Sequence, residues 1–146
     1  MAPVRLSLAP DPANVRIARL MAASVARLAQ LDEHLLDDIR LATGEASGRA
    51  VSAHRDAGLD TEIEVEFETG DSSMSVTVID HSPSGPGEAT LAMRDTFVES
   101  ADPAGIEIDY PEVIAIIGGL ADELDVRTTA EGTTIVMRWK QVDPRR

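Results

Sequence analysis

A chain of 146 residues is the size of one domain, here taken as residues 1–146, and is long enough to bury an ordinary core. It has no cysteine, which excludes disulfides and cysteine-based zinc or redox chemistry. A formal net charge of −13 with no basic arm argues against direct DNA or RNA binding, yet it suits a protein partner that offers basic surface. No apolar run is long enough for a bilayer, and no signal-peptide block precedes the first charges, so the expected compartment is the cytoplasm.

Residues 3–8, PVRLSL, alternate apolar and polar and predict a short edge strand flanked by Pro3 and Pro10. From about Ala13 to Gln30 apolar residues recur at helical steps, with Asp11 or Asn14 near the cap. A second helix is predicted from Asp32 to about Ala57, with Gly58 as its stop. Gly44 and Gly48 within it each cost about 1 kcal/mol against Ala, which suggests close approach of a neighbour or ligand.

The period then changes to two. Ile63, Val65 and Phe67 alternate with Glu62, Glu64, Glu66 and Glu68, a half-buried strand with an acidic outer face. Gly70-Asp71 turns the chain into a strand through Met74, Val76 and Val78. Residues 81–109 read as a long loop with a weak helical piece around Leu91–Val98. A helix is predicted from Pro111 to Leu124, then a hairpin of Asp125–Thr129 and Thr133–Lys140 around Glu131-Gly132. This order predicts an α+β fold: a two-layer α/β sandwich whose mixed, mostly antiparallel sheet is covered on one face by about three helices.

Three stretches carry the candidate chemistry: DDIRLATGEASGRA at 37–50, VTVIDHSPSG at 76–85 and VIAIIGGLADELDV at 113–126. Together with the element order they resemble the GHKL (Bergerat, histidine-kinase-like) ATPase superfamily. The likeness is to its branch of bacterial anti-sigma factors that double as serine kinases, and it covers nearly the whole chain. Asp38, Ile39, Leu41, Ala42, Glu45, Ala46 and Ala50 fall in register with the family's helix motif. The resemblance implies Glu45 as general base for the attacking hydroxyl, and a magnesium-binding Asn one turn later. Arg49 stands at that Asn position. An Arg offers only donors and a permanent positive charge, so it cannot ligate Mg²⁺. Four-residue spacing predicts that Arg49 pairs with Glu45 instead.

The resemblance also implies that Asp80 accepts a hydrogen bond from an adenine amino group. The residue alone reads equally as a turn Asp that bonds its own backbone. The glycine positions that should follow hold Ser82 and Ser84, with Gly85 and Gly87 just beyond. The family's phosphate loop falls on Pro111 and Val113, where Pro lacks the N–H that phosphate cradling needs. Gly118 and Gly119 come too late and read as packing residues.

These departures predict weak or absent ATP·Mg binding and no required cofactor. The expected function is that of an anti-sigma factor which sequesters an alternative RNA polymerase sigma factor until a STAS-type anti-anti-sigma protein releases it. The resemblance implies a homodimer, with Arg16, Arg19 and the 81–109 loop as candidate partner contacts. The alternative is an active serine/threonine kinase that phosphorylates the STAS partner, with Glu45 as base and Asp80, Arg49 and Gly85 around the nucleotide. A regulatory domain serving another protein target is a third reading. His34, His54 and His81 lack metal-ligand spacing and read as surface or helix-face residues.

Overall fold

Ile63, Val65 and Phe67 all point inward on one strand, and their burial shows that the period-two pattern was a sheet face turned to the core. The computed structural model describes residues 3–83, 89–93 and 111–142. Its elements are β1 (Val4–Leu8), α1 (Ala13–Leu28), α2 (Glu33–Asp56), β2 (Ile63–Gly70), β3 (Ser73–Ile79), β4 (Ala89–Met93), α3 (Pro111–Leu120), β5 (Glu123–Thr129) and β6 (Gly132–Lys140). They form one six-stranded sheet in the order β1-β2-β3-β6-β5-β4. Every pairing among the described strands is antiparallel, so the expected mixed sheet is corrected to an antiparallel one.

The three helices lie on one face. α2 is the middle of this layer, between α1 and α3, and packs over β3; α1 packs over β2 and α3 over β5. Ala18, Ala22 and Ala26 of α1 and Ala42, Ala46 and Ala50 of α2 are fully buried at four-residue spacing. Small side chains on facing stripes let helix backbones approach closely. Trp139, Phe67, Ile39, Ile63 and Met137 are among the largest fully buried side chains. Each contributes about 1.5–3 kcal/mol through removal from water.

The helix ends follow from backbone chemistry. Gln30 at φ 59° and Gly58 at φ 69° each follow a helix in the left-handed region. The next amides, Leu31 and Leu59, donate back to the carbonyls of Ala26 and His54, which closes each last turn. At the start of α1, Asp11 Oδ1 accepts the Ala13 N–H at 2.9 Å. Asp32 stands at the cap of α2, but its side chain makes no capping bond there.

Three sequence expectations are corrected. Leu91–Met93 lies in a strand, because β4 pairs with β5 from Ala89↔Thr128 to Met93↔Leu124. Local helix preference in ATLAM yields to that ladder. The remainder of the expected helical piece lies outside the described residues. α3 ends at Leu120 rather than Leu124. Asp122 already belongs to the sheet side, since its N–H donates to the Arg138 carbonyl and its carboxylate accepts the Lys140 N–H. Gly119 is exposed with open space around it, so it is no packing residue. The Trp139 indole N–H donates at 2.8 Å to the Leu120 carbonyl and satisfies the end of α3.

Candidate functional site

β3 delivers Asp80 to the edge of the helical layer, one residue beyond its last strand residue, Ile79. The Asp80 N–H donates to the Thr133 carbonyl at 2.9 Å, which ties it to the start of β6. Its Oδ1 accepts the Ser82 N–H at 3.0 Å and the Thr133 N–H at 3.3 Å. The Ser82 bond is the Asx-type turn that the sequence offered as the plainer reading. The turn is only part of what Asp80 does.

Arg49 supplies the rest. From α2 its Nη1 donates to Asp80 Oδ2 at 2.5 Å, with the two side chains only 3% and 1% exposed. Arg49 therefore reaches across the fold instead of pairing with Glu45 as the helix spacing predicted. The cause is burial: an exposed pair one turn apart contributes only about 0.3–0.5 kcal/mol, while a buried carboxylate without a counter-charge costs several. Glu45 itself is half-buried, one turn before Arg49.

Gly132 completes the clamp. At φ +142°, a Cβ on Gly132 would lie 1.9 Å from the Asp80 carbonyl oxygen. Only glycine lets the β5–β6 turn press this closely against Asp80. The Thr133 hydroxyl lies 3.2 Å from that of Thr128 on β5. The sequence offered Gly132 only as a hairpin turn and Thr133 only as a strand start, because their partner Asp80 lies about fifty positions away.

His54 was also misread. It is fully buried near the end of α2, not a helix-face residue. Its Nε2 accepts the His81 N–H at 2.8 Å, which leaves Nδ1 to donate to the Thr61 carbonyl at 2.9 Å. His81 in turn lies 3.5 Å from Glu64. Among the described residues no group of His, Asp and Glu is arranged to hold a metal ion. Thr43 and Ser47, on neighbouring turns of α2, have buried hydroxyls without a hydrogen-bond partner among the described residues.

The other candidates scatter. Ser82 is buried beside Asp80, while Gly85 lies outside the described residues. α3 begins at Pro111, and Val113 packs against the core rather than framing a phosphate loop. Gly44 sits under the stem of Arg19, whose Cδ lies 2.8 Å from where a Cβ would be. Gly48 faces open space, so among the described residues no neighbour presses on it, and that half of the expectation is corrected. Arg16 and Arg19 are exposed on α1. The acidic face of β2 is partly paired, through Arg5 Nε to Glu66 at 2.6 Å. A cavity of about 700 Å³ lies at the opposite end of the sheet from Asp80, lined by Glu68, Ser73, Glu123, Arg138 and Lys140 among others. No helix among the described residues is long and apolar enough to cross a membrane.

Residues 8–139 match the family model of the histidine kinase-like ATPase domain. Among solved structures the chain is similar to the crystal structure of the RsbU and RsbW domains of Rv1364c from Mycobacterium tuberculosis, with a TM-score of 0.68 and 18% identity. The match covers 99% of this chain and 34% of that one, so this chain spans about a third of that protein's length. At this identity the likeness shows a shared fold. No curated protein matches the chain. Because the family model takes in all but the ends, the chain belongs to the histidine kinase-like ATPase domain family.

Proposed function

We propose that this chain is a protein-binding regulator, an anti-sigma factor that occludes an alternative RNA polymerase sigma factor and gives it up to a STAS-type anti-anti-sigma protein. The observation that carries the reading is the Arg49–Asp80 pair. A magnesium site needs an oxygen donor at position 49, and a guanidinium has none. The carboxylate that a base would need is already engaged by a buried cation. This donor set does not fit a magnesium nucleotide, while the frame that family members build around one is kept. A net charge of −13 favours fast encounter with a basic partner surface. The exposed face of α1 with Arg16 and Arg19 is the proposed contact, and a homodimer is the proposed assembly.

The test is affinity capture from the native cell without added nucleotide. A sigma factor should co-purify at near-equal amounts, and exposed-face variants such as Arg16→Glu should reduce its recovery. Capture of other proteins but no sigma factor would sink the reading.

One observation favours the kinase alternative. Because Arg49 turns to Asp80, Glu45 is not neutralised by the neighbour one turn away. If the chain is a kinase, transfer of labelled phosphate from ATP to the STAS partner should appear and vanish in Glu45→Gln.

A further inference from the structure

We propose that Arg49 is a built-in occupant of the Asp80 carboxylate: its guanidinium supplies the hydrogen bond that the amino group of an adenine nucleotide would give, and so closes this domain to such ligands. The inference rests on the family reading of Asp80 given above, but not on which protein the domain binds. It starts from the acceptor inventory. Oδ1 of Asp80 is taken by two backbone amides, those of Ser82 and Thr133. Oδ2 is taken by Arg49 Nη1. One lone pair of Oδ2 remains, but the side chains are only 3% and 1% exposed, so a ligand amine reaches this carboxylate only if the guanidinium moves aside.

That displacement is unfavourable in two ways. A hydrogen bond between two ions is exchanged for one from a neutral donor, which lacks the Coulomb attraction of the guanidinium. A buried negative charge also loses its counter-ion, since the side chains of the pair are 3% and 1% exposed. The backbone offers no easy retreat. Asp80 is held to β6 through its own N–H and by the close approach of Gly132. Arg49 springs from the middle of α2, a helix of 24 residues packed against α1, α3 and the sheet.

The consequence is that one residue separates a closed site from an open one. Arg49→Asn shortens the side chain so that it no longer spans to Asp80. It frees Oδ2 and places an amide oxygen where a divalent cation can use it.

The experiment is calorimetric titration of the full chain with ADP, with and without Mg²⁺, alongside thermal unfolding. Wild type should show no saturable binding at millimolar ADP. Arg49→Asn should bind about tenfold or more tightly, the ratio expected when a charge-assisted competitor is removed. Arg49→Asn combined with Asp80→Asn should lose that gain. Wild-type binding as tight as that of Arg49→Asn would overturn the proposal, as would a folded Arg49→Asn with no gain. If Arg49→Asn alone is largely unfolded, saturating ADP should restore its native circular dichroism, and failure to do so counts equally against the proposal. Partner capture uses wild-type protein without nucleotide. A missing sigma factor therefore leaves this titration intact, and the reverse also holds.

Discussion

The backbone N–H of His81 donates to Nε2 of His54 across 2.8 Å, so a helix side chain holds the residue that follows Asp80. The same ring donates from Nδ1 to the Thr61 carbonyl, which joins the end of α2 to the start of β2. His54 is fully buried, while its partners belong to the exposed residues Thr61 and His81, so both bonds are part-buried. His54→Ala removes both bonds and empties the volume of a fully buried ring, and should cost about 3 kcal/mol. His54→Phe keeps most of the volume and should cost about 2 kcal/mol. Urea unfolding measures both; a midpoint unchanged in His54→Ala would show that the ring is dispensable.

Arg49 and Asp80 form a buried pair in which either partner alone is a liability. Arg49→Met and Asp80→Asn should each cost about 3–5 kcal/mol, because each leaves the other group uncompensated. The double variant should be less destabilised than the sum, with a coupling of more than about 1 kcal/mol. Strict additivity in denaturant unfolding would mean that the two side chains do not meet in solution.

Gly132→Ala should be among the most damaging single changes in the chain. The added Cβ would overlap the Asp80 carbonyl oxygen, and φ of +142° disfavours any L side chain. We expect a loss of more than about 3 kcal/mol, seen as low soluble yield or early melting. A variant that melts with the wild type would contradict the close approach.

The two glycines of α2 make opposite predictions about crowding. Gly48→Ala meets nothing within 4 Å and should stabilise the helix by about 0.5–1 kcal/mol. Gly44→Ala gains the same helix preference but pushes on Arg19, an exposed and flexible side chain, so its net effect should be smaller. A melting temperature that rises more for Gly44→Ala than for Gly48→Ala would reverse this order.

Trp139 is the single tryptophan and is 1% exposed. Its native emission should therefore be blue-shifted and should move red in one step on unfolding. Trp139→Phe leaves the Leu120 carbonyl without its indole donor and should cost about 1–2 kcal/mol. An emission maximum already at the solvent value in the native state would refute the burial.

Much of the architecture was legible because it is written locally. The Ile63, Val65, Phe67 alternation placed β2, Gly58 marked the end of α2, and Met74, Val76 and Val78 placed β3. Arg49 resisted the same reading. Local spacing offered Glu45 as its partner, and only the packing of α2 over β3 brings Asp80 within reach. His54 failed for the same reason, since its partners lie on segments before β2 and after β3. β4 and the early end of α3 were hidden because pairing with β5 and β6 overrides helix-forming sequences.

The ladder of β3 with β6 joins residues 73–79 to residues 134–140 at the centre of the sheet. β2–β3 and β5–β6 are local hairpins, each closed by a two-residue connection. The middle of the molecule exists only once these two units collide and align, after the entropy of a long intervening stretch has been lost. Refolding of this domain should therefore run on the millisecond-to-second scale of non-local topologies rather than at helical-bundle speed. Substitutions along that seam, Val76 against Met137 or Val78 against Ile135, would slow the encounter as well as weaken its product.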